Sequence, residues 1–109
     1  MTQEEFLKKL IREYEVCTDI SRKKNADYSA NNDAFLNFRS TQNMGISPAT
    51  AIMVRMGDKM ARVGNLLKKK GLVEDESIHD TLRDLANYSL ILSIYLQAEG
   101  HNELPVQAK

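Results

Sequence analysis

The chain has 109 residues, 42% apolar and 28% charged, enough for one domain that buries about two thirds of its unfolded surface. Fifteen Lys and Arg balance fifteen Asp and Glu, so the net charge is zero and no global positive field exists to hold nucleic acid non-specifically. A single cysteine, Cys17, excludes an intrachain disulfide framework, and no run approaches the ~20 apolar residues of a membrane span.

Met1-Thr2-Gln3-Glu4-Glu5 lacks a basic start and an apolar core, so a cytoplasmic chain is expected. Thr2 with Glu5 makes a capping-box pattern. Phe6, Leu7, Leu10, Ile11, Tyr14, Cys17 and Ile20 then recur at spacings of three and four, which predicts a first helix from about Thr2 to Lys24 with Cys17 as a buried structural thiol. The Asn- and Ser-rich stretch 29–33 reads as a connection. Asp33 can cap a short helix through Phe35, Leu36 and Phe38 to about Met44, stopped by Gly45.

Ser47-Pro48 is a strong helix start, a hydroxyl at the cap followed by proline where a missing N–H costs nothing. The third helix should run to Lys70 with Ile52, Met53, Met56, Met60, Val63 and Leu67 as its apolar stripe, and Lys68, Lys69 and Lys70 set against its negative end before Gly71. Glu74, Asp75 and Glu76 open a fourth helix whose core face is Ile78, Leu82, Leu85, Leu92 and Leu96. Leu90, Ile91, Ile94 and Tyr95 add apolar residues on other sides, which predicts a partner subunit on this helix and hence a homo-oligomer. The fold class is therefore all-α: residues 1–100 form one compact domain of three long helices and one short one, and 101–109 a flexible tail.

Chemistry concentrates on two helices. At about 100° per residue, Asp80 lies ~40° and Asp84 ~80° from Glu76, and Asn87 returns to within about 20° of it. The same face continues into Ile91 and Ile94, so an acidic stripe runs into an apolar one. Left in water it is a solvated charged face; desolvated, its acids must take up protons, pair with cations or share a metal. On the third helix Arg55, Asp58, Lys59 and Arg62 form a second polar stripe, either an exposed salt-bridge face or cations for phosphate oxygens with one acid facing Asp80 and Asp84. Mg2+ or Mn2+ between such carboxylates and a polyphosphate is the chemistry this mixture of signs suits. Lys24, Asp27, Tyr28, Asn37 and Arg39 gather around the first connection, where they serve turns and caps or contact a nucleoside. No Gly-rich phosphate loop or Cys/His metal spacing is present, and neither His79 nor His101 is placed to act as a catalyst.

Four motifs in order, Lys24-Asn25-Ala26-Asp27-Tyr28, Asp33-Ala34-Phe35-Leu36-Asn37-Phe38-Arg39, Arg55-Met56-Gly57-Asp58-Lys59 with Arg62, and Glu76-Ser77 through Asp80-Thr81, Asp84-Leu85 and Asn87-Tyr88, carry a resemblance. They resemble the nucleotide modification associated domain family, type 1, small and largely phage-encoded proteins regarded as similar to the all-α MazG-like nucleoside triphosphate pyrophosphohydrolases. The resemblance implies a helical oligomer in which carboxylates hold Mg2+ while water splits a triphosphate into monophosphate and pyrophosphate, in a bacterial or phage-infected cytoplasm. On this chain Asp58, Asp80 and Asp84 would be catalytic and, with Glu76, metal-binding. Lys24, Asp27, Tyr28, Asn37, Arg39, Arg55, Lys59, Arg62 and Asn87 would hold the nucleotide. MazG-like enzymes carry Glu-x-x-Glu on one helix and Glu-x-x-Asp on the next, whereas this chain has Arg55-x-x-Asp58 and Thr81-x-x-Asp84, with Asp80 one position off. The missing acids leave a second expectation open, a protein that sequesters a nucleotide or nucleotide signal without turning it over.

Overall fold

The computed structural model describes residues 1–28, 33–69 and 76–99, with backbone alone at 26–28 and 76. Within them the chain is all-helical: α1 (Gln3–Tyr28), α2 (Leu36–Arg39), a 3-10 segment (Ser40–Met44), α3 (Pro48–Leu67) and α4 (Glu76–Glu99). The expected Lys70-Gly71 stop of α3, the Glu74-Asp75 start of α4 and the tail 101–109 lie outside the described residues. Among the described residues no helix is long and apolar enough to cross a membrane.

Local chemistry explains the ends. Thr2 and Glu5 form the reciprocal capping box, each side chain accepting from the other's backbone N–H at 3.1 Å. Ser47 caps α3 by accepting from Thr50 N at 3.1 Å, with Pro48 buried in the first turn. The expected short helix divides instead. One α turn passes into a 3-10 segment that ends at Gly45, whose φ of 75° lies in the left-handed region that glycine adopts without steric cost. Asp33 serves the turn before α2 instead of its cap: Oδ1 accepts from Phe35 N at 3.0 Å, and no side chain caps Phe35.

The core gathers where α2 lies across α3 and α4. Phe38, Ile52 and Tyr95 are its buried centre, packed by Phe35, Ala49, Met56, Tyr88, Ile91 and Leu92. Tyr95, expected beyond the core face of α4, is instead 1% exposed, while Leu82, expected inside, is 42% exposed. The helix is turned so that Tyr88 and Tyr95 meet the rings of Phe38 in α2 and Phe35 at its cap: Phe35 meets Tyr95 edge-on at 5.1 Å between centroids, and Phe38 meets Tyr88 at 6.4 Å.

Helix α1 is joined to α4 by its C-terminal half. Cys17 is buried there, and Arg83 grips Glu13 through two hydrogen bonds of 3.0 and 2.8 Å. Burial pushes the Cys17 thiol above its ordinary value, in keeping with a structural role. Toward its N-terminus the predicted apolar stripe is uncovered. Phe6, Leu7, Leu10, Ile11 and Tyr14 are all exposed, from 37% at Leu10 to 60% at Ile11. Between this stripe and Leu82, Ala86 and Leu90 of α4 runs a groove of about 240 Å³.

Candidate functional site

The C-terminal half of α1, the α2 segment, Arg55 of α3 and the middle of α4 enclose an open cavity of about 380 Å³. That volume is at the low end of the ~300–1,000 Å³ of small-molecule sites, and its wall combines apolar rings with a few convergent polar groups, as such sites do. Phe35, Phe38, Tyr88, Ile91 and Ile94 supply the apolar wall; Lys24, Asn37, Arg55, Asp84 and Asn87 supply most of the polar one. Five of the expected site residues are thus brought together.

Arg55 lies with its guanidinium carbon 4.8 Å from the centroid of the Phe38 ring, a cation–π contact. No carboxylate pairs with it among the described residues. Asp84 is the opposite case. Oδ1 is 3.2 Å from Lys24 Nζ and Oδ2 is 3.2 Å from Lys59 Nζ, so one carboxylate on α4 is bracketed by lysines from α1 and α3. Asn87, 9% exposed, donates from Nδ2 to the Cys17 carbonyl at 3.1 Å and so fixes α4 against α1. Its Oδ1 has no hydrogen-bond partner among the described residues, which leaves a buried acceptor beside the cavity.

Other expected site residues have structural employment. Arg39, half-buried, makes two bonds to Glu99 at 3.2 and 2.6 Å and one from Nε to Asp33 Oδ2 at 2.6 Å, clamping α2 to the end of α4. These acids push its pKa well above the ordinary value, Glu99 first and Asp33 second. Arg62 donates from Nε to the buried hydroxyl of Thr81 at 3.2 Å, a strut between α3 and α4. Neither arginine lines the cavity.

The described carboxylates have separate surroundings. Asp80 is mostly exposed and 3.3 Å from Arg83 Nη1, Asp58 is exposed without an ion pair among the described residues, and Asp84 is held by its two lysines. The side chains of Glu76, Asp27 and Tyr28 lie outside the described residues. Among the described residues no three His, Cys, Asp or Glu side chains are grouped to hold a metal ion.

The aromatic wall was not anticipated as part of a site. Phe35 and Phe38, then Tyr88, Ile91 and Tyr95, recur at spacings of three and four, a signal that on sequence alone reads as core. The useful signal was the run of the acidic stripe into Ile91 and Ile94, because Asp84, Asn87, Ile91 and Ile94 all line the cavity. Comparison with protein-family models, curated proteins and solved structures finds no match for the chain.

Proposed function

We propose that the protein binds a nucleotide in the cavity between α1, α2 and α4, and holds it without turning it over. The observation that carries this reading is Arg55, a cation without an acidic partner among the described residues, set on an aromatic ring in the wall of a cavity that mixes apolar and polar side chains. An arginine in that setting suits a phosphate, which its planar fork meets with two hydrogen bonds. The rings of Phe35 and Tyr88 give a planar base apolar surface, and Asn87 Oδ1, without a partner among the described residues, offers an acceptor for an N–H or hydroxyl of the ligand.

Mg2+- or Mn2+-dependent pyrophosphohydrolysis of a nucleoside or deoxynucleoside triphosphate is the second reading, favoured by Asp84, the one acid in the described cavity wall. It demands that Asp84 leave both lysines and that other acids join it. Thermal-shift screening of nucleosides and their mono-, di- and triphosphates, in EDTA and in Mn2+, followed by product analysis, separates the readings. A ligand at a hundred times its dissociation constant adds about 2.7 kcal/mol of stability. Binding of intact ligand in EDTA supports sequestration, and pyrophosphate release in Mn2+ supports hydrolysis. Absence of any shift removes the nucleotide reading altogether.

Self-association belongs to the same proposal. The uncovered side chains of α1 together with Leu82 and Leu90 expose roughly 700 Å² per protomer, at ~200 Å² for a fully exposed large side chain. A monomer's largest apolar patch is about 300–600 Å², whereas a stable interface uses about 800 Å² per partner. A second copy seated on this face, with the two α1 helices in contact, fits that area.

A further inference from the structure

The charges around the described cavity wall are few enough to count. Lys24, in the cavity wall, and Lys59, behind it and outside the lining, share the single carboxylate of Asp84, which leaves that group with one net positive charge. Arg55 adds a second and is one helical turn from Lys59 on the same face of α3. Arg22, which also lines the cavity, is neutralised by Asp19 at 2.8 Å. A phosphate monoester carries about −1.5 to −2 at neutral pH, which matches this excess. Each further phosphate of a di- or triphosphate adds an ionised oxygen for which the described wall supplies no further uncompensated cation.

Resting on the nucleotide-binding reading, we infer that the preferred ligand is a nucleoside monophosphate, its dianion taken by Arg55 and the Lys24–Asp84–Lys59 group. The nucleoside lies along Phe35, Tyr88 and Ile91, with Asn87 Oδ1 as acceptor. The open cavity of about 380 Å³ has room for one nucleoside with one phosphate. Asp84 is then a selectivity element that rejects additional phosphates by repulsion while holding two lysines in place.

Isothermal titration in EDTA tests this with the nucleoside, 5′-mono-, di- and triphosphate of adenine, guanine, cytosine, uracil and thymine, and with inorganic phosphate. For the base that binds, the monophosphate should bind at least tenfold tighter than either the nucleoside or the triphosphate. Arg55→Ala should remove the advantage over the nucleoside, and Asp84→Asn should narrow the gap by tightening the triphosphate; each variant's circular dichroism and melting curve are recorded to confirm that it folds. A triphosphate that binds wild type as tightly as the monophosphate overturns this inference and leaves the nucleotide-binding reading standing. Inorganic phosphate that binds as tightly as every monophosphate overturns the role given to the aromatic wall. No binding by any nucleotide overturns the inference together with the reading beneath it.

Discussion

Lys24 Nζ stands 3.2 Å from Asp84 Oδ1, sixty positions away, and this pair joins α1 to α4 in the wall of the cavity. Lys59 reaches the other oxygen from α3 at the same distance, so the carboxylate ties three helices at one point. Asp84→Asn should therefore act in two directions. Loss of both pairs lowers stability by about 1 kcal/mol, since partly exposed ion pairs contribute at that level. Freed of their acid, the lysines should bind anions several-fold more tightly, because a charge removed from a partly buried site weakens repulsion by a comparable amount. Calorimetry with a nucleoside monophosphate measures the second effect, and weaker binding by the variant would count against the cavity as the site.

Arg39 predicts an acid-dependent stability. Its guanidinium holds the Asp33 carboxyl below the ordinary value of 3.8, with a smaller contribution from Phe35 N–H. A carboxyl whose folded pKa is depressed stabilises the fold fully above its unfolded value and loses that contribution as pH falls through the folded one. The Glu13 carboxyl, lowered from 4.5 chiefly by its hydrogen bond from Arg83, acts in the same sense at the junction of α1 and α4. Urea melts should thus show stability declining as pH drops below about 4, the ordinary carboxylate range. Asp33→Asn should flatten part of that decline. Arg39→Lys, which keeps the charge but not the planar fork, should cost about 1 kcal/mol at neutral pH. Identical pH profiles for wild type and Asp33→Asn would show that the Arg39–Asp33 pair contributes nothing.

Helices were legible because their signals are local. The capping box at Thr2 and Glu5, the Ser47-Pro48 start and the Gly45 stop each act over three or four residues, and each is found where the spacing put it. Long-range partners were not legible. Arg39 sits in a polar cluster that suits a ligand, yet its partner Glu99 lies sixty positions on, and no local pattern announces it. Asp80 and Asp84 share a helix face, but their fates diverge through residues on other elements: Arg83, itself drawn to Glu13, takes Asp80, and two lysines take Asp84. Periodicity places side chains on a face, and only packing says what meets that face.

Phe38 serves the core and the cavity together, so two substitutions separate its roles. It is buried between Ile52 and Tyr95 and carries the Arg55 guanidinium on its ring. Phe38→Ala should cost about 3–5 kcal/mol through the cavity it leaves, a large share of a small domain's total stability. Phe38→Leu keeps most of the apolar volume and removes the ring. It should cost less stability than the alanine variant, yet still weaken binding of a nucleoside monophosphate by a few-fold, because the cation–π contact that orients Arg55 is worth about 0.5–2 kcal/mol. Chemical denaturation and calorimetry on both variants make the comparison. Equal affinity for wild type and Phe38→Leu would show that the ring does not position Arg55.

The apolar side chains of α1 give the prediction that separates two candidate interfaces. Leu90, Ile91, Ile94 and Tyr95 were the expected contact with a partner, but Tyr95 is spent in the protein's own core, and Ile91 and Ile94 line the cavity. The stripe from Phe6 to Tyr14 is uncovered and runs through the α1–α4 groove to Leu82 and Leu90, while Ile94 and, on α3, Met53, Val54, Met60 and Leu67 are exposed as well. Ile11, 60% exposed and outside both the core and the cavity, is the residue whose change should touch an interface and little else. Ile11→Asp places a charge in that face, and a desolvated charge without a partner costs several kcal/mol, enough to dissociate a dimer of micromolar affinity. The monomer's own fold should be unaffected, since surface substitutions away from packed contacts change stability by about 0.5 kcal/mol or less. Light scattering at about 50 µM, well above a dissociation constant of about 1–10 µM, should report a dimer for wild type and a monomer for Ile11→Asp. Ile94→Asp should remain dimeric while losing ligand affinity. A monomeric wild type would overturn the self-association proposal, and a dimer dissociated by Ile94→Asp but not by Ile11→Asp would move the interface to the end of α4.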